Sequence, residues 1–196
     1  MKELNNNDFR FWAGTNIMRP GEVCPCTREV FDRITDHPEL RQLAKTILNT
    51  ERKQERDALK HEAPYFLFHA ADVAGGYRAN KNITDSGLRF LDIDDDRMNF
   101  KEFYQQRVQP RIDQLGILMV HRSLGNPRHR GHIVFEAPRD EFLGECMTIE
   151  ESQRWMADKL GCSYDESCCD LQRPSFAVPR KFILFMNEDK LFNTLN

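Results

Sequence analysis

The sequence of 196 residues lacks any apolar run approaching the roughly 18 residues that a membrane-spanning helix needs. Its first ten residues, MKELNNNDFR, also lack the apolar segment of a secretory signal. Internal repeats and low-complexity stretches are absent too, which argues against solenoid and linker architectures. We therefore expect one compact domain in the cytoplasm, with no membrane contact.

An excess of positive charge is also lacking, because 28 lysines and arginines face 31 aspartates and glutamates, for a net charge of −3. Any affinity for nucleic acid must then come from a local basic patch rather than from the overall charge. Hydrophobic residues make up 40% of the chain and charged residues 30%, values that are typical of a globular domain.

Zinc-finger spacing is missing as well. The chain has six cysteines, namely Cys24, Cys26, Cys146, Cys162, Cys168 and Cys169. They do not form the paired short-spaced arms of ordinary zinc sites, so we expect free thiols. The alternative is a metal site that joins Cys24 and Cys26 to the later cluster.

Helical signals dominate the first 62 residues, which we predict to be a helical segment packed on a core formed by residues 63–196. Thr27 can cap a helix that the step at Pro38 interrupts, and apolar residues recur at helical spacing from Leu40 to Leu48. The charged run ERKQERDALK (51–60) then predicts a helix with a solvated face.

Strands alternate with helices in the remainder. We predict strands at Tyr65–Ala71, Leu88–Asp94, Ile117–His121, His132–Glu136, Phe176–Val178 and Phe182–Met186. Asn99 is expected to cap a helix bent at Pro110, Thr148 with Glu151 should form a capping box, and the last two strands should form a hairpin. From Leu88 to Val178 the order is β-α-β-β-α-β, which predicts an α+β fold of the RNA-recognition-motif type with an antiparallel sheet.

Acidic residues end the strand at Leu88–Asp94, in the stretch GLRFLDIDDD. Asp92 and Asp94 should point to the same face at roughly 7 Å spacing, with Leu91 and Ile93 on the other. Such carboxylates suit Mg²⁺ or Mn²⁺. A strand that runs out into a solvated acidic turn is the other interpretation, and we expect Asp95 and Asp96 to form such a turn.

A basic loop, HRSLGNPRHRGH (121–132), concentrates three arginines and three histidines in twelve residues. Guanidinium groups bind phosphate bidentately, so this loop suits a polyphosphate or a nucleic-acid backbone. Solvated hairpin residues would give the same pattern. Further along, Asp170 and Arg173 read as a surface ion pair unless the fold places them beside the aspartate strand.

Taken in order, these motifs resemble the archaeo-eukaryotic primase superfamily, and in particular the primase-polymerase domains at the N-terminus of virulence-associated-E-type bacterial proteins. The first motif of that family, hydrophobic-Asp-hydrophobic-Asp, is matched by Leu91–Asp94. The second, which ends in histidine at a strand start, is matched by Arg130–His132, and the third, a later hydrophobic-Asp, by Cys169-Asp170. Lys60, Arg78 and Arg173 also lie in stretches that resemble the family pattern.

The resemblance implies template-dependent nucleotidyl transfer, as in a DNA primase or polymerase, with Asp92, Asp94 and Asp170 as catalytic ligands of two Mg²⁺ or Mn²⁺ ions. The implied nucleotide-binding residues are His132, Ser123, Arg122, Arg130, Arg173, Arg78 and Lys60. The implied partners are nucleoside triphosphates, a DNA template or primer, and a helicase or a mobile-element or defence protein.

Two other functions stay open. A metal-dependent nuclease or phosphohydrolase would use the same carboxylates. A non-catalytic nucleic-acid-binding module would use the sheet as a platform, with Phe90 stacked on a base, although core packing is the more ordinary role for that ring.

Overall fold

The computed structural model describes residues 9–95 and 97–192, so the expectations for residues 1–8 and for Asp96 lie outside the described residues. These residues form an α+β protein with antiparallel sheets. Its strands are β1 (Trp12–Gly14), β2 (Val23–Pro25), β3 (Tyr65–Leu67), β4 (Ala70–Val73), β5 (Ile83–Asp85), β6 (Leu88–Asp94), β7 (Ile117–Arg122), β8 (Arg130–Glu136), β9 (Ser175–Phe176) and β10 (Ile183–Met186). Its α-helices are α1 (Arg28–Thr35), α2 (Pro38–Asn49), α3 (Lys53–Lys60), α4 (Phe100–Phe103), α5 (Ile149–Leu160) and α6 (Glu188–Leu191).

Four strands form the central sheet, in the order β10-β7-β8-β6. Strand β6 pairs along its whole length with β8, so that Asp92 lies opposite His132 and Asp94 opposite Arg130. β8 pairs in turn with β7, which brings His121 opposite His132. The predicted strand over Leu88–Asp94 is confirmed with both its bounds.

Helices cover one face of the central sheet. Leu91 and Ile93 of β6 are buried there with side chains of α4 and α5, among them Phe100, Phe103 and Met156. The predicted capping box is confirmed, since Thr148 accepts from the Glu151 amide while the Glu151 carboxylate accepts from Thr148. Helix α4 passes into a π-helical turn over residues 104–108 and then a 3-10 turn at Pro110, where proline ends regular helical bonding.

A second sheet, in the order β2-β1-β3-β9, packs toward the other face. Phe90 of β6 shares a core there with Phe11, Phe66 and Phe68. The N-terminal segment therefore contributes two strands as well as helices α1 to α3. Strands of three residues are too short to show a period of two, and the pairing of β1 with β3 is far from local, so sequence patterns do not reveal β1 and β2.

The expected hairpin of Phe176–Val178 with Phe182–Met186 is wrong. β9 pairs with β3 in the second sheet, whereas β10 pairs with β7 in the central sheet. The Ala177 amide donates to the Pro64 carbonyl and a 3-10 turn at Arg180–Phe182 redirects the chain, so the segment crosses between sheets instead of folding back. The fourth strand of the central sheet is accordingly Ile183–Met186.

In the part of the chain that the structure describes, no helix has the length and apolar character needed to cross a bilayer.

Candidate functional site

Three polar side chains lie in a row across one face of the central sheet. Asp92, His132 and His121 are cross-strand neighbours on β6, β8 and β7. His132 Nε2 lies 3.3 Å from Asp92 Oδ1, and the His132 and His121 rings meet edge to face with centroids 4.8 Å apart. The alternation of side chains along β6 explains this row, because Leu91 and Ile93 take the opposite, helix-covered face.

Asp165 and Cys168 complete the surroundings of Asp92. One ligand atom from each of Asp92, Asp165 and Cys168 falls within 4.8 Å of the others, an arrangement that can hold a metal ion. The backbone sets it: the Asp165 amide donates to the Asp92 carbonyl at 2.9 Å, and Tyr164 forms a β-bridge with Ile93. The segment after α5 is thus tied to the end of β6.

Charges around Asp92 favour its ionised form. Burial raises the pKa of the Asp92 carboxyl, but the neighbouring His132 and Arg173 side chains outweigh burial, so the pKa lies below its ordinary value. For Cys168, burial and the nearby Asp92 and Asp165 carboxylates raise the thiol pKa to about 12. The site therefore holds ionised carboxylates beside a protonated thiol.

Ser175 reaches this row from the second sheet. Its hydroxyl, on β9, lies 2.9 Å from His132 Nδ1, and the serine is fully buried. The other two buried imidazoles are held by backbone groups: His69 Nδ1 lies 2.9 Å from the Asp170 carbonyl and His121 Nδ1 lies 3.2 Å from the Arg122 carbonyl. Burial lowers the pKa of His69 to about 4 and that of His121 to about 3.

A cleft of about 670 Å³ opens over Asp92 and His132. Its cationic lining comes from distant segments, namely Lys53, Arg56, Lys60, Arg130 and Arg173. Three of these side chains lie on α3, in the run ERKQERDALK that we expected to be merely solvated. That helix does expose much of its surface, yet one side of it forms a wall of the cleft, which helical periodicity alone cannot reveal.

The structure brings together most of the predicted nucleotide-binding residues. Lys60, Ser123, Arg130, His132 and Arg173 all line the cleft. Lys60 donates to Asp57 at 2.8 Å, and Arg173 lies 3.6 Å from the Asp165 carboxylate.

Two predicted arginines lie elsewhere. Arg122 rests over the Phe182 ring and donates to the Lys181 carbonyl at 3.3 Å. Arg78 lies over the Tyr65 ring and donates to the carbonyls of Ile17 and Gln172. Neither side chain is among those that line the cleft, since each is turned toward an aromatic ring and backbone oxygens.

The predicted carboxylate triad also needs correction. Asp94 points to the same face as Asp92, but it pairs with Arg130 at 2.7 Å instead of joining the metal-competent group. Asp170 is exposed, and its Oδ1 accepts from Asn80 at 3.3 Å. Asp165, five residues earlier, stands beside Asp92 instead, because the backbone bonds of Asp165 and Tyr164 to β6 fix that part of the loop.

All six cysteines are free thiols, as expected. Among the residues that the structure describes, only Asp92, Asp165 and Cys168 form a cluster of three or more ligands close enough to share a metal ion. The alternative in which Cys24 and Cys26 join the later cysteines at zinc therefore has no support.

Phe90 lines the floor of the cleft but is 1% exposed, and its ring stacks on His69 with centroids 4.8 Å apart. The ring already has its aromatic partner, so core packing is its role here.

Comparison with known proteins gives no assignment: no family model, no curated protein and no solved structure matches this chain.

Proposed function

We propose that this protein is a metal-dependent nucleotidyltransferase of the primase-polymerase type, acting on nucleoside triphosphates and a DNA template or primer. The observation that carries the proposal is the meeting of Asp92, Asp165 and His132 at the floor of one cleft that has lysines and arginines on its walls. In this proposal, the central sheet with α4 and α5 is the RNA-recognition-motif-like core that the sequence order predicts.

The donor set fits a divalent cation. Asp92 and Asp165 supply the carboxylate oxygens that Mg²⁺ and Mn²⁺ prefer, and Cys168 adds a softer donor that Mn²⁺ accepts better than Mg²⁺. A bound cation in such a site polarises phosphoryl oxygens and offsets negative charge in phosphoryl transfer. Asp94 is held by Arg130, a contact that a second cation would have to replace.

The remaining polar groups suit a triphosphate. His132 reaches the cleft beside Asp92, while Lys60 and Arg173 present positive charge from two other directions. Phosphoryl transfer depends mainly on positioning and charge neutralisation, so this arrangement requires no activated nucleophile from the protein. An acidic turn with only a structural role would not need lysines and arginines on the wall of the cleft.

The proposal takes its third acidic residue from a different position than the one that the resemblance implies. The hydrophobic-Asp pattern is met by Tyr164-Asp165 as well as by Cys169-Asp170, and only Asp165 lies with Asp92. The proposal therefore assigns the third acidic position to Asp165 and leaves Asp170 outside the catalytic group.

A metal-dependent nuclease is the second candidate. The observation in its favour is that Asp94 is paired, which leaves two carboxylates for one cation. Both functions need the metal, but only the transferase needs a grip on a free nucleoside triphosphate.

Thermal unfolding with ligands tests the proposal. Mn²⁺ and a nucleoside triphosphate together should raise the melting temperature by more than the sum of their separate shifts, because each ligand offsets charge that opposes the other. His132→Asn should remove this excess, whereas His37→Asn, at an exposed helix cap, should keep it. Additive shifts, or none, would contradict a shared site, and the same variants in primer-extension and nuclease assays would separate the two candidates.

A further inference from the structure

The described residues contain three imidazoles that are at most 8% exposed, those of His69, His121 and His132. A buried neutral imidazole carries one proton, and its hydrogen-bond partners decide which nitrogen holds it. The hydrogen-bond partners of His132 differ from those of the other two rings, and His132 is the ring that lines the cleft.

Backbone groups determine which nitrogen is protonated in His69 and His121. His69 Nδ1 faces the Asp170 carbonyl, which can only accept, and His69 Nε2 accepts from the Phe90 amide at 3.2 Å, so the proton is on Nδ1. His121 Nδ1 faces the Arg122 carbonyl, which again requires the proton on Nδ1.

His132 has the opposite arrangement. Its Nδ1 faces the Ser175 hydroxyl, and within residues 9–95 and 97–192 that hydroxyl has no other hydrogen-bond partner. Were Nδ1 to donate, the fully buried hydroxyl would keep a hydrogen with no acceptor, and the Nε2 lone pair would face the Asp92 carboxylate. Donation from Ser175 to Nδ1 avoids both costs and puts the proton on Nε2.

We infer that Ser175 is a positioning residue, which donates to His132 Nδ1 and thereby keeps His132 as an Nε2–H donor directed at anionic oxygen in the cleft. His132 Nε2 lies 3.3 Å from Asp92 Oδ1, so its N–H faces the side of the cleft where a phosphate oxygen would enter. In this tautomer Nε2 cannot accept a proton from water, so His132 binds an oxyanion and does not act as a general base there.

The assignment of the tautomer stands on the geometry alone, whereas the role at a triphosphate rests on the proposed function. Because Ser175 belongs to the second sheet and His132 to the central sheet, the bond also makes the orientation of the ring depend on how the two sheets pack.

Nitrogen-15 NMR of the histidine side chains in the full chain, at pH 8, reads the tautomers directly. We expect a protonated Nε2 and an unprotonated Nδ1 for His132, with the reverse pattern for His69 and His121 as internal references. An unprotonated Nε2 in His132, or protons on both of its nitrogens, would overturn the inference whether or not the protein binds a nucleotide.

Two variants extend the test. Ser175→Ala should give a mixture of His132 tautomers and weaken binding of a Mn²⁺-nucleoside triphosphate about tenfold, and Ser175→Thr, which keeps a hydroxyl, should restore both. If Ser175→Ala left the tautomer and the affinity unchanged, the serine would be only a packing residue.

If the wild type bound no triphosphate, the proposed function would fail, while the NMR result would still decide the tautomer of His132. If Ser175→Ala did not fold, the wild-type spectrum would decide the tautomer alone.

Discussion

The two faces of the central sheet share the same strands but carry opposite chemistry. On the helix-covered face, Leu91, Ile93, Ile133 and Phe135 pack against helices in an apolar core. On the other face, within the same few residues, Asp92 and His132 open into a cleft with charged walls.

This difference shows how one strand can serve both stability and chemistry. A period of two assigns alternate residues of β6 to the two faces, so the residues that hold the fold together and those that form the site are neighbours in sequence. Substitutions at adjacent positions should therefore have separable effects.

The largest contrast is expected at Leu91 and Asp92. Leu91→Ala should lower the free energy of unfolding by about 2–5 kcal/mol because it leaves a cavity beneath α4 and α5. Asp92→Asn should change stability by less than about 1 kcal/mol but reduce primer extension at least about 100-fold, the equivalent of roughly 3 kcal/mol in the barrier. Urea unfolding and a Mn²⁺-dependent extension assay on both variants measure this; equal effects on stability would contradict the separation of faces.

The next largest effect is a dependence of stability on pH, which we expect from the buried imidazoles of His69 and His121. Because the pKa of His69 falls to about 4 and that of His121 to about 3, the unfolded chain binds more protons than the folded protein below about pH 6.5. The free energy of unfolding should then fall as the pH is lowered from 7 to 5, by about 2 kcal/mol for each ring.

The control for this effect is His121→Phe, which cannot take up a proton. Urea unfolding of this variant over the same pH range should show a shallower loss of stability than the wild type. Parallel losses in the two proteins would show that His121 is not the source of the pH dependence.

Two glycines extend the comparison to the loop and strand that border the cleft. An added Cβ at Gly131 would meet the Phe100 ring and lie 2.6 Å from the His121 carbonyl oxygen, so Gly131→Ala should cost about 1–3 kcal/mol in stability. An added Cβ at Gly125 would meet only the flexible end of Lys60, so Gly125→Ala should leave stability within about 0.5 kcal/mol.

The effect of Gly125→Ala should appear instead in binding, as a few-fold loss of triphosphate affinity (under about 1 kcal/mol), because Lys60 is displaced from the cleft wall. Calorimetric unfolding and nucleotide titration of the two variants distinguish the cases. A stable Gly131→Ala protein would mean that the helix-covered face is less tightly packed than the structure shows.

Local patterns were enough to predict the apolar and polar sides of β6 and the capping box of α5. That Asp92 and His132 share one site was implied by the resemblance to the primase superfamily, whereas alternation along β6 predicts only the face on which Asp92 lies. The same reasoning could not find β1 and β2, which have three residues each, and it gave the strand at Phe176 the wrong partner because β9 pairs with the distant β3.

The third acidic residue of the site is the one that the sequence alone could not identify. Asp165 lies in a loop without periodicity, and its place is set by backbone bonds to Asp92 and Ile93, far away in the sequence. The hydrophobic-Asp pattern is present at both Tyr164-Asp165 and Cys169-Asp170, so the sequence offered the signal but no means of choosing. Only the tertiary pairing separates the two.

A titration of Mn²⁺ into matched variants at these two positions decides which carboxylate joins Asp92 at the cation. We expect Asp165→Asn to lose measurable Mn²⁺ binding and primer extension, and Asp170→Asn to bind Mn²⁺ within about twofold of the wild type, a difference under about 0.5 kcal/mol. Normal binding by Asp165→Asn together with loss in Asp170→Asn would contradict this expectation.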